Sequence, residues 1–199
     1  MIMPKEKREI EKKDITSLEV YSKNRKELRK NILEYKKDRR VPLGPYATFY
    51  FESYETMLAQ VQEMLYIEKG GDEQLKDELI AYNPLIPNGK ELTATLMFEI
   101  DNPVSRADFL GKVGGIEDKV FLKLDNEIIN GKPEQDVDRT SAEGKASSVQ
   151  FVHFGFTNEQ IVKFKSKNFE IELGINHHEY SHTTKLNELN ITSLSKDFI

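Results

Sequence analysis

A chain of 199 residues, 38% hydrophobic and 32% charged with a formal net charge of −5, can bury roughly 70% of its unfolded surface in one generous domain or two small ones. It contains no cysteine, which excludes disulfides, cysteine nucleophiles, zinc knuckles and thiolate-held iron–sulfur clusters. No apolar run approaches the ~20 residues of a membrane span, and the opening Met1–Lys7 has no apolar stretch of the secretory kind, so a cytoplasmic protein is expected.

Residues 1–13 are strongly charged and are expected to form a flexible segment. From Ser17 to Asp38, Leu18, Tyr21, Leu28, Ile32 and Tyr35 recur at helical spacing and predict an amphipathic helix with a break near its middle. Pro42, Gly44 and Pro45 stop it. Ala47 to Glu52 reads as a strand, and Ser53 as the N-cap of a helix carrying Met57, Leu58, Val61, Met64 and Leu65 on one face. Gly70-Gly71 end that helix, and Asp72 is placed to cap a further one with Leu75, Leu79 and Tyr82 buried. Asn83 precedes a proline, which biases it out of helical geometry.

Beyond Pro87 the period falls to two. Leu92, Ala94, Leu96, Phe98 and Ile100 alternate with Thr93, Thr95, Met97 and Glu99, the pattern of a sheet with one apolar face. A short helix is predicted over Ser105 to Val113. Val120, Leu122 and Leu124 alternate next, with turns at Asp125-Asn126 and Asn130-Gly131. Ala146 to Phe156 forms a long strand and Glu159 to Phe164 a small helix. Phe169, Ile171, Leu173 and Ile175 then alternate with Glu170, Glu172 and Gly174, so a one-residue slip would drive two glutamates into the core. The architecture expected for residues 14–199 is a single α+β domain, with N-terminal helices packed on a largely antiparallel β-sheet.

The candidate sites follow from charge and clustering. Between Lys23 and Arg40, nine basic residues face three acids, Glu27, Glu34 and Asp38. Lys26, Arg29 and Lys30 on this helix are the candidate face for an acidic protein partner; the other reading is a solvated face laced with i,i+3 and i,i+4 pairs. Nucleic acid is disfavoured, because no aromatic stacking platform lies beside the basic run. His178 and His182 would share one face if their segment were helical, the spacing a metal ion uses. The other reading there is a polar turn with exposed imidazoles, favoured by Asn176, Ser181 and Thr183-Thr184. His153 reads as a sheet histidine facing with Val149 and Phe151. Glu52, Glu63 and Glu99 are candidates for convergence, against separate ion pairs with Arg39, Arg40 or Lys90. A third candidate is a ligand pocket between sheet and helices near Arg40, Glu63, Asn83 and Gln150. No phosphate-binding glycine loop and no nucleophile elbow occur.

Several segments, taken together and in order, carry a family likeness. They are Arg39-Arg40-Val41 with Gly44-Pro45, Phe51-Glu52, Gln62-Glu63-Met64-Leu65, Tyr82-Asn83, Leu85-Ile86-Pro87, Ala94-Thr95-Leu96 and Ser148-Val149-Gln150-Phe151-Val152. In this combination the chain resembles the uncharacterised bacterial domain-of-unknown-function family 3501 from about Asp14 onward. Gly174-Ile175-Asn176-His177 followed by Tyr180 is similar to that family's C-terminal segment. No activity is established for the family. The resemblance implies an accessory role around oxidative stress or electron transfer, with a rubrerythrin-like or iron–sulfur redox protein as partner, because such genes stand near those of the family. The lysine-rich N-terminus and the stretch from Asn158 to Asn168 depart from the family's usual pattern.

Overall fold

The computed structural model describes residues 8–134, 140–141 and 144–199. Ser17 caps the first helix, α1 (Leu18–Lys37), through a bond from the Val20 amide. The break expected near its middle is not formed: no glycine or proline interrupts these 20 residues. Two strands follow at once, β1 (Arg40–Leu43) and β2 (Ala47–Phe51), paired antiparallel across a turn at Gly44. The first of these was not expected, because Pro42 reads as a breaker. It sits on an edge strand, where its missing N–H costs no ladder bond.

Ser53 caps helix α2 (Tyr54–Glu68) as expected, its hydroxyl accepting from the Thr56 amide while Thr56 Oγ1 accepts from the Ser53 amide at 2.8 Å. Helix α3 (Gly71–Tyr82) starts from Gly70 rather than from Asp72, which lies inside the first turn. Strand β3 (Glu91–Phe98) pairs with β2. Helix α4 (Pro103–Lys112) then leads to strands β4 (Val120–Leu124) and β5 (Glu127–Asn130), turned by Asp125 in the left-handed region at φ 56°. The short β6 (Lys132–Pro133) and β7 (Val149–Gly155) return to the side of β3. Helix α5 (Asn158–Ser166), strands β8 (Ile171–His177) and β9 (Tyr180–Lys185), and helix α6 (Glu188–Leu194) complete the described α-helices and strands.

One sheet was expected; two are present, both antiparallel. Their orders are β1-β2-β3-β7-β6 and β5-β4-β8-β9. Leu92, Leu96, Val152 and Phe154 of the first share a core with Leu122, Leu124, Ile171 and Leu173 of the second, each worth roughly 1.5–3 kcal/mol on burial. The other face of the first sheet is covered too. Phe151 packs there against Tyr54, Met57, Val61 and Leu65 of α2, with Leu75 and Ile10. The protein is therefore α+β in three layers: helices, first sheet, second sheet. Phe169 does not join the alternation expected of it; it precedes β8, is 36% exposed, and lies 6.0 Å beneath the Lys163 ammonium.

The chain ends are tied into these layers. Of the segment 1–13 expected to be flexible, residues 1–7 lie outside the described residues. Ile10, however, is buried, with Asn83 Oδ1 accepting from its amide at 2.8 Å and Asn83 Nδ2 donating to its carbonyl at 3.1 Å. At the other end, the buried Arg39 guanidinium pairs with the buried Asp197 carboxylate. Arg39 also donates to the carbonyls of Phe51 at 2.9 Å and Glu52 at 2.7 Å. Phe198 stacks edge-on with Phe156 at 4.8 Å and Phe164 at 5.4 Å.

Candidate functional site

Helix α1 runs antiparallel to α2 and touches it through polar clamps near its two ends. At one end, Glu63 accepts from Tyr21 Oη at 2.8 Å and from Arg25 Nε at 3.0 Å, and Arg25 Nη2 closes a bidentate pair. The Arg25 guanidinium lies 4.7 Å over the Tyr66 ring, and Arg29 Nη1 stands 3.8 Å from the Glu63 carboxylate. The Arg25 hydrogen bond holds the Glu63 carboxyl below its usual range, helped by Tyr21. Burial, reinforced by Glu63, pushes the Tyr21 phenol up to about 12. At the other end, Tyr35 Oη lies 3.1 Å from Ser53 Oγ and 3.3 Å from Glu55 Oε2.

Between the clamps the two helices do not close. A slot of about 460 Å³ remains, lined by Leu28, Ile32 and Leu33 from α1 and by Leu58, Ala59 and Gln62 from α2. Of the 20 residues of α1 only Tyr21 is buried, and Leu28 and Leu33 are 43% and 62% exposed. The three carboxylates that line the slot, Asp14, Glu55 and Glu63, are engaged by neighbours of this chain, whereas Lys36, which also lines it, has no ion pair among the described residues. Lys26 and Lys30, exposed on the same helix, likewise have none there; Arg29 keeps the distant contact with Glu63.

The other predicted residues are dispersed. Arg40 reaches Glu99 at 3.3 Å and lies over the Tyr50 ring. Glu99 also accepts from Thr48 Oγ1 at 2.6 Å and Tyr50 Oη at 2.8 Å; these bonds, Thr48's first, hold it below the usual carboxylate range. Asn83 brackets Ile10 and lines a separate cleft with Leu75 and Leu79. Gln150 is buried and donates to the Ser147 carbonyl at 3.0 Å. Of the four residues grouped around a pocket, Glu63 thus lines the slot, Asn83 the cleft, and Arg40 and Gln150 neither.

The three glutamates do not converge. Glu52 is buried and accepts from Thr56 Oγ1 at 2.5 Å and Thr95 Oγ1 at 2.7 Å, a set of partners distinct from those of Glu63 and Glu99. The helix that would align His178 with His182 is not formed. His178 occupies the two-residue turn between β8 and β9, exposed to solvent, while His182 is in β9 with its ring 4.5 Å from that of Tyr180. His177, which ends β8, is buried and held near the Gly114 carbonyl at 3.3 Å; burial pushes its imidazole down. Among the described residues no three His, Asp or Glu side chains are grouped to hold a metal ion.

His153 faces as expected, and both its ring nitrogens meet carboxylates: Nε2 lies 2.9 Å from Glu134 and Nδ1 3.4 Å from Glu91. The Glu91 contact first, then Glu134, raises its pKa against the opposing effect of burial. Two structural anchors were not legible in the sequence. One is the Arg39–Asp197 pair. The other is Tyr180, whose hydroxyl donates to the Leu43 carbonyl at 2.5 Å and accepts from the Ala47 amide at 3.0 Å. That hydroxyl presses against the β1–β2 turn at Gly44 (φ +64°), where any Cβ would lie 2.7 Å from it.

A three-layer α+β domain with an open slot between its two outer helices is the class that fold and site define. The family model described as "Protein of unknown function (DUF3501)" matches residues 9–198, and the chain belongs to that family. It is also similar to the crystal structure of a novel protein of unknown function from Burkholderia pseudomallei K96243. The two are 32% identical with a TM-score of 0.89, over 96% of this chain and 99% of that one. No curated protein matches the chain. No helix among the described residues is long and apolar enough to cross a membrane.

Proposed function

We propose that this is a cytoplasmic accessory protein that acts by docking an acidic partner protein on the basic face of α1. The observation that carries the reading is the state of that helix: 20 residues, one of them buried, with Lys26, Lys30 and Lys36 free of ion pairs among the described residues and leucines exposed beside them. Helices in folded proteins draw most of their stability from packing an apolar face. One left this open is suited to a second surface, and its charge selects an acidic one. The redox setting implied by family likeness makes rubrerythrin-like and iron–sulfur proteins the first partners to try.

The test is co-purification from native cells, repeated after changing Lys26, Arg29 and Lys30 together to Glu. Loss of a specific partner, and its release from the unaltered protein by salt, is the expected result. Recovery of the same partner by both proteins would overturn the assignment of this face.

A further inference from the structure

We propose that the slot between α1 and α2 receives the apolar face of an acidic amphipathic helix of the partner, an inference that rests on the docking reading above. The two clamps, at Tyr21 and Tyr35, are 14 positions apart on α1, about 21 Å at the helical rise. An apolar row at i, i+3, i+4 and i+7 spans about 10 Å, so it fits between them. Leu28, Ile32 and Leu33 form one wall, Leu58 and Ala59 the other; aliphatic walls suit leucine-sized anchors.

Charge decides what the rest of the occupant looks like. The lining carboxylates are already engaged, Asp14 by the Glu11 amide, Glu63 by Arg25 and Tyr21, and Glu55 by Tyr35 and Ser53. Lys36 in the lining, and Lys26 and Lys30 elsewhere on α1, have no ion pair among the described residues. An incoming helix with carboxylates flanking its apolar row would meet all three. A basic helix would be repelled, and a single-headed amphiphile would satisfy at most one of them.

The probe is a fluorescein-labelled synthetic 18-residue peptide with Leu at i, i+3, i+4 and i+7 and Glu, Lys-free, at the remaining exposed positions. A permuted peptide of the same composition lacks the apolar row. Binding to the full chain is followed by anisotropy, and circular dichroism checks that each variant is folded. The first peptide is expected to bind and the permuted one to bind at least about tenfold more weakly. Ala59→Trp, which fills the slot from a half-buried position, and Leu33→Ser, which removes a wall residue, should each weaken binding by about tenfold. Lys26→Glu with Lys30→Glu should weaken it comparably and flatten its salt dependence.

Equal binding of both peptides, or undiminished binding by folded Ala59→Trp and Leu33→Ser, would overturn the slot assignment. If only the lysine variant loses the peptide, the slot falls and charge-driven docking stands. If every variant binds like the parent, both fall. Absence of binding by the parent, or binding of dodecanoate in the peptide's place, would also remove the helix-in-slot assignment and leave docking to the co-purification result.

Discussion

Arg39 carries a full charge to a place where 1% of its surface meets water, and Asp197 opposite it is wholly buried. Burial pushes the Asp197 carboxyl up, and Arg39 opposes that shift. Removing one member of such a pair strands the other without compensation. Asp197→Ala is therefore expected to cost about 3–5 kcal/mol, toward the lower figure because Arg39 keeps three carbonyl acceptors, those of Phe51, Glu52 and Ser193. A urea unfolding curve checks it, and an unchanged midpoint would refute it. His153 gives a pH effect of opposite character. Its raised pKa stabilises the folded state fully below about 6.5, and that stabilisation is lost as pH climbs through the folded-state value. His153→Gln should therefore remove a fall in urea midpoint that begins as pH rises above about 6.5. Equal slopes for parent and variant would show that Glu91 and Glu134 do not hold a charged ring.

Some residues declare their place in sequence and others cannot. Ser53 was legible because a cap is a local bond, made within three residues. Thr93 and Thr95 read as the solvent side of β3, yet both are buried, since Thr93 Oγ1 donates to the Leu85 carbonyl at 2.5 Å and Thr95 Oγ1 to Glu52. A threonine whose hydroxyl is satisfied can lie under a helix, and composition does not show whether a partner will arrive. Arg39 with Asp197, and Arg25 with Glu63, are separated by 158 and 38 positions; no periodicity links them. The candidate slot was legible only in part: the basic helix and Glu63 were visible, the gap between two helices was not.

At the scale of elements, α1 and α2 contrast sharply. Six residues of α2 are buried and it sits on the first sheet, whereas α1 rests on α2 through its ends. Local opening follows the number of buried contacts an element must break. Amide hydrogens in the middle of α1, around Leu28 to Leu33, should exchange at least about tenfold faster than those around Val61. Equal protection factors would mean that α1 is held more firmly than its burial indicates. The same contrast explains one misread element, β9, and one left without a reading, α6. β9, Tyr-Ser-His-Thr-Thr-Lys, is polar because its outward side chains face solvent at a sheet edge, and it reads as a turn. α6 is short, and its anchors are tertiary: Asn190 Nδ2 donates to the Asp38 carbonyl at 2.9 Å, stapling the end of α1.

On the scale of the molecule, the two sheets and the helical layer depend on residues at the far end of the chain. Deletion of residues 187–199 removes Asn190, Asp197 and Phe198 together. It should leave a chain without fixed aromatic packing, seen as loss of near-ultraviolet circular dichroism and rapid cleavage by trypsin. A truncated protein with the parent's spectrum would show that the C-terminal segment is dispensable. The alternating strands made the sheet content legible. The division into two sheets was not, because a strand buried on one face and a strand sandwiched between layers share the same two-residue rhythm.

The Arg39–Asp197 pairing also fixes an order of events during translation. A ribosome completes β1, β2 and α2 while the aspartate that neutralises Arg39, 158 residues further along the chain, is still unmade. Until it emerges, the nascent chain holds a guanidinium with no counter-ion at the place where the first sheet must close. Closure of the first sheet around Arg39 is therefore deferred until Asp197 has been made, however early the strands themselves are complete.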